Sequence, residues 1–168
     1  MFHQLLVAID DTESAPVALS FTTALARHEG ASVHVIHANR VVVGGRGFTE
    51  LTEAAAAALV DTAVLQLLEQ GIDASGSVAR ATSYSIGQVI ADAAWSRRCD
   101  AIVLGSHRPI RWSRLAHPLG RGTREHIIRH SSLPVLTAPA PLHLPGARRR
   151  RGATSVRSAK HLRAPAVG

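Results

Sequence analysis

The chain is poor in several things that whole classes of protein need. Among 168 residues there is one cysteine, Cys99. A single thiol builds no internal disulfide framework, and it fits a reducing compartment. No apolar run approaches the ~18 residues of a membrane-spanning helix. The opening MFHQLLVAIDD lacks a basic leader segment and a small-residue cleavage site, so no secretory signal is expected there. No G-x-S-x-G elbow appears, and no pattern assigns Ser85, Ser131 or Ser132 a base, which argues against nucleophilic catalysis. The Gly44-Gly45 and Gly47 cluster lacks the lysine of a Walker loop and reads as a flexible connection. Ten histidines are present, but no cysteine or carboxylate stands at metal spacing from them. His34 and His37 should face opposite sides of a strand, and His126 and His130 should share a helix face. All are expected to be surface or capping residues. Cys99 precedes an apolar run and is expected to be a half-buried structural thiol.

Acid is missing from one end. Residues 141–168 hold Arg148, Arg149, Arg150, Arg151, Arg157, Lys160 and Arg163 and no Asp or Glu, which accounts for the whole net charge of +7. Residues 1–140 are balanced. The chain therefore divides into a neutral domain, 1–140, and a basic tail, 141–168, of low apolar content and expected disorder. The tail has no interleaved aromatics for base stacking, so it suits an acidic partner through charge alone.

The domain has enough apolar residues, 46% of the chain being hydrophobic, to bury a core. An apolar run over 3–9 ends at Asp10. Helical spacing follows over 12–29, opened by Thr12 or Ser14 and closed by Gly30. Residues 32–38 are β-branched and read as a strand, and 39–48 as a Gly-rich connection. An Ala-rich helix within 49–70 is capped by Thr49 or Thr52, with Leu59, Ala63, Leu67 and Leu68 on its apolar face. Then come a strand at 73–80, a helix at 85–98, a strand at 100–105, a basic loop at 106–121, a helix at 122–131 and a strand at 133–138. The 100–105 run is apolar without alternation, as in a strand buried on both faces. Pro134 suits an edge strand. Trp95 is expected in the core or packed against a helix, and Trp112 in the basic loop. Five strands alternating with four helices predict an α/β protein: a five-stranded parallel sheet, doubly wound as an open Rossmann-like sandwich.

In such a sheet ligands bind beyond the carboxyl ends of the strands. Three segments leave those ends: Asp10-Asp11-Thr12, Gly105-Ser106-His107-Arg108 and, opening the last helix, Gly122-Thr123. A carboxylate there accepts a hydrogen bond from a base or a ribose hydroxyl. Gly105 lets a ligand approach the backbone, and a helix start offers free N–H groups to phosphate. Taken singly, Asp10 is also a residue that caps a helix or holds a turn, and Gly105 a residue that turns.

The segments LLVAIDDTESAPVALSFTTALA, SVHVIHA and DAIVLGSHR…GRGTREHIIRHSSLPVLTAPAP resemble the universal stress protein family over roughly residues 1–139. Its ATP-binding branch carries Gly, two residues, Gly, nine residues, then Gly-Ser or Gly-Thr. The resemblance implies Ala8 at a position held by small residues, Asp10 on the adenine or ribose side, Ala38 against the base, Gly105 and His107 opening the phosphate loop, and Gly122 and Thr123 closing it. It further implies ATP, with Mg, as ligand, a cytoplasmic homodimer formed through Pro134–Ala138, and at most weak ATP hydrolysis. Two departures stand out. Arg108 replaces the second glycine, and 13 residues separate it from Gly122. Arg108, Arg111 or Arg114 then neutralises phosphates, or the loop fills the pocket and leaves a dimeric interaction module without nucleotide. An adenylyl-transfer enzyme would need a phosphate grip after the first strand, where this chain is acidic.

Overall fold

The computed structural model describes residues 1–42, 48–106 and 122–139. The elements run β1 (Gln4–Ile9), α1 (Ser14–Glu29), β2 (Ser32–Val42), β3 (Phe48–Thr49), α2 (Glu53–Glu69), β4 (Ala74–Ala81), α3 (Ile86–Ser96), β5 (Ala101–Leu104), α4 (Gly122–His130) and β6 (Val135–Thr137).

Five strands are parallel, in the order β4-β2-β1-β5-β6. Their direction of progression reverses between β1 and β5. The sheet has one addition to the expected five strands: β3 pairs antiparallel with the far end of β2, Val41 opposite Thr49. β2 accordingly runs four residues past the expected Ala38. The β-branched Val41 and Val42 favour extension, and β3 supplies them with a partner. Asn39, 1% exposed, secures this departure. Its amide donates to the Leu51 carbonyl at 2.9 Å and accepts from the Leu51 N–H at 3.1 Å.

Alternation along the strands sorts the core into two layers. Leu5, Val7, Val33, Val35 and Val103 meet α1 and α2 on one face. Leu6, Ile36, Ile102 and Leu104 meet Ile90, Ala94 and Ile127 of α3 and α4 on the other. Ala101–Leu104 are all buried, as their unbroken apolar run predicts. Burial of Cys99 pushes its thiol up to about 11, so it stays protonated and structural.

Four local expectations change. The buried residues of α2 are Ala56, Val60, Ala63 and Leu67. Leu68 turns outward beside Leu65, because a period of 3.6 residues carries it off the face that Leu67 occupies. Trp95, beside buried Ala94, is 73% exposed rather than packed. α1 has Glu13 at its N-cap with no side-chain bond, and the turn before it does that work. His34 and His37 are not surface residues; both are buried. Thr52 does cap α2, accepting from Ala55 N–H at 3.2 Å, and Gly30, at φ 70°, closes α1.

Candidate functional site

The carboxyl edge of the sheet is assembled from the ends of β1, β2, β4 and β5 and the start of α4. At its centre Asp10 leaves β1, where the strand order reverses. One carboxylate oxygen, Oδ1, accepts from the Thr12 N–H (3.2 Å), the Thr12 hydroxyl (2.6 Å) and the Ser14 hydroxyl (3.1 Å). Thr12 Oγ1 in turn accepts from the Ser14 N–H at 3.2 Å. The sequence thus closes an Asx turn onto the first residue of α1. The same turn fixes the direction of Oδ2, which has no partner among the described residues, at an exposed position. Asp10 is therefore both a turn residue and a positioned acceptor.

Beside it, β2 brings His37 and Ala38 to the edge, with Ile9 in register with His37. His37 Nδ1 lies 3.0 Å from the Ile9 carbonyl. A carbonyl only accepts, so Nδ1 carries the proton and Nε2 holds a lone pair in the neutral ring. Nε2 is buried and unpartnered among the described residues, as is the Ser106 hydroxyl. His37 was expected to be a surface or capping residue. Its signal was a polar residue inside a β-branched run, where burial forces a partner onto each nitrogen.

Gly105 has a reason of its own. A Cβ there would lie 2.9 Å from Ser14 Cβ, O and Oγ, so the glycine lets β5 end against the start of α1. This contact locks the Asp10 turn to the end of β5. Ala8 and Ala38 are partly buried on the α3 side of the same edge. Gly122 and Thr123 open α4. His107 and Arg108 lie outside the described residues, as do Trp112 and the rest of the 107–121 loop.

The opposite pole has a different character. The C-terminal ends of α3 and α4 border a cavity of about 170 Å³, with Asp92, Trp95, His130 and Ser132 in its walls. Asp92 bonds to Gln88 at 2.8 Å, and His130 stacks on His126 at 4.4 Å, so those two histidines do share a face. No bond joins Asp92 to His130 among the described residues, and no triad forms. Also among the described residues, no three His, Cys, Asp or Glu side chains gather as a metal site.

Residues 1–139 match the model of the universal stress protein family. The chain belongs to that family. Solved structures of universal stress proteins share its fold. One from Burkholderia pseudomallei is 20% identical, with a TM-score of 0.62, covering 82% of this chain and 96% of its own. One from Archaeoglobus fulgidus, in complex with dAMP, is 22% identical at a TM-score of 0.58, covering 82% and 98%. A family protein of Arabidopsis thaliana with AMP bound is 15% identical at 0.58, covering 87% and 97%. No curated protein sequence matches the chain. Among the described residues, no helix of this universal stress protein is long and apolar enough to cross a membrane.

Proposed function

We propose that this universal stress protein is a non-catalytic module that binds an adenine nucleotide at the carboxyl edge of its sheet. The supporting observation is Asp10: an exposed carboxylate at the point of strand reversal, one oxygen fixed by three hydrogen bonds and the other without a partner among the described residues. On this reading Oδ2 accepts from a ribose hydroxyl or the base amine. Ala8 and Ala38 give the base an apolar contact, and the amides opening α4 at Gly122-Thr123 receive phosphate with the positive end of the helix dipole. Gly105, His107 and Arg108 complete the phosphate side, with Arg108 supplying charge where a glycine amide is absent. ATP with Mg is the ligand proposed, in a cytoplasmic homodimer joined through β6. The basic tail, 141–168, is proposed to contact an acidic partner.

A second reading keeps the dimer and removes the nucleotide. It is favoured by Gly105, whose lack of a side chain is explained by Ser14 alone.

Calorimetric titration with ATP and Mg²⁺ separates the two. Asp10→Asn retains an oxygen for Thr12 and Ser14 and turns the unpartnered acceptor into a donor. The substitution should leave thermal stability within about 1 kcal/mol of the parent and weaken ATP at least tenfold, because it leaves a ligand donor facing a donor. Micromolar binding lost in Asp10→Asn, and in Gly122→Trp, supports the nucleotide reading. No heat and no thermal shift at millimolar ATP overturns it and leaves the interaction module.

A further inference from the structure

Tyr84 is the sole tyrosine of the chain, and nothing above gives it a role. It lies between β4 and α3 at the carboxyl edge and is 74% exposed. An exposed ring alone signifies little. Its backbone, however, is held firmly. Thr82 N–H donates to Ser85 Oγ at 2.8 Å, and the N–H groups of Ser85 and Ile86 donate to the Thr82 carbonyl at 3.0 and 3.1 Å. The Thr82 and Ser85 hydroxyls are 3.0 Å apart. The connection that carries the ring is a fixed turn, so the ring loses little freedom when it meets a ligand.

The α3 face of the sheet offers small side chains near this turn. Leu6 and Ile36 are fully buried there. Ala8 of β1 lies in register with Ile36 and Leu104, and Ala38 of β2, one step further along, with Ala79 of β4. All three alanines are partly open to solvent. Their methyl groups form a shallow shelf, two residues short of the end of β4, while β2 runs on to Val42. The start of α4 lies at the same level. A Cβ on Gly87 would sit 2.9 Å from His126, so α3 and α4 touch there. Four residues before this contact are Ser83, in the turn that precedes α3, and Gly122, the first residue of α4.

We propose that Tyr84 is a base-binding residue: its ring closes over a planar purine resting on the Ala8, Ala38 and Ala79 shelf. This inference rests on the nucleotide reading and extends it by naming what grips the base. Stacking has no donor or acceptor pattern, so the contact favours purine over pyrimidine by area and separates adenine from guanine weakly.

The test is titration of the full chain and of Tyr84→Ala and Tyr84→Phe with ATP, adenosine and inorganic tripolyphosphate. Tyr84→Ala should weaken ATP and adenosine about tenfold, the low end of what loss of one stacked base costs. Tripolyphosphate should bind the variant as it binds the parent, and Tyr84→Phe should match the parent throughout. ATP binding equal in the parent and Tyr84→Ala overturns the proposal while sparing the nucleotide reading. Equal losses for ATP and tripolyphosphate also overturn it, because the residue would then act on the phosphate side. A parent chain that binds neither ATP nor adenosine removes the nucleotide reading and this proposal with it.

Discussion

His34 stands in the middle of β2, fully buried, and both ring nitrogens end on hydroxyls of β4: Nδ1 on Ser75 at 2.8 Å and Nε2 on Ser77 at 2.9 Å. One serine donates and the other accepts, so the neutral ring is satisfied without charge. Burial, with a smaller contribution from the Arg97 charge, pulls its pKa from 6.5 to about 4. The folded value is the lower one, so the unfolded chain holds more protons between those limits. Stability from this site is complete above about pH 6.5 and drains away as pH falls towards 4, by up to about 3 kcal/mol for the single proton. His34→Val has no such proton to take up. Urea unfolding at pH 7 and pH 4.5 should show the parent losing more stability than the variant. Equal losses would mean that His34 is charged in the fold or solvated. Asp100 titrates in a separate window. The backbone N–H groups of Gln4 and His3 hold its carboxyl below its usual 3.8, so its contribution persists until the pH falls beneath that value.

The step from β2 to α2 depends on one side chain. Asn39 holds both backbone groups of Leu51, and truncation to Ala leaves the Leu51 N–H without its acceptor. Asn39→Ala should cost about 2 kcal/mol in urea unfolding, the usual penalty for stranding a buried polar group. A cost near zero would show that water replaces the amide. This element also marks where sequence reading stops. Apolar runs and helical spacing located the five parallel strands and four helices, because they report burial directly. The Asn39 pin and β3 were not legible, since a two-residue strand has no period and a buried amide looks like a turn residue until its partner is known. The α2 face slipped by one position at Leu67-Leu68, where two adjacent leucines fit either register. At the site, Asp10 and Gly105 stood out as strand-end residues. The turn of Asp10 onto Ser14 is local and fits its reading as a turn residue, but the close approach of Gly105 to Ser14 links residues far apart in sequence, and no spacing rule reports that. Tyr84 escaped for the same reason, and His37, expected at the surface, finds its partner on another strand.

At the scale of the molecule, the sheet has two open edges among the described residues, and they are unlike. β4 offers eight residues, Ala74–Ala81, and β6 offers three, Val135–Thr137, flanked by Pro134 and Pro139. An unpaired edge invites another chain. The proposed homodimer uses β6, and its twofold axis would pair the strand with itself. Backbone groups of alternate residues point to opposite sides of a strand. Ile102 N–H donates to the Pro134 carbonyl and Ala138 N–H to Leu104, so residues 134 and 138 face β5 and Thr137 faces outward. Thr137→Pro removes an outward N–H and leaves the β5 ladder intact. On β4, Val33 N–H donates to Asp73, so the even-numbered residues face outward, and Val78→Pro is the matched change on the other edge. Light scattering across a dilution series should show Thr137→Pro dissociating at concentrations at least tenfold above the parent, a loss of about 1.4 kcal/mol or more. Val78→Pro should dissociate as the parent does. The reverse pattern would move the interface to β4, where exposed Leu65, Leu68 and Val78 stand beside the edge. A parent that is monomeric throughout would remove the dimer.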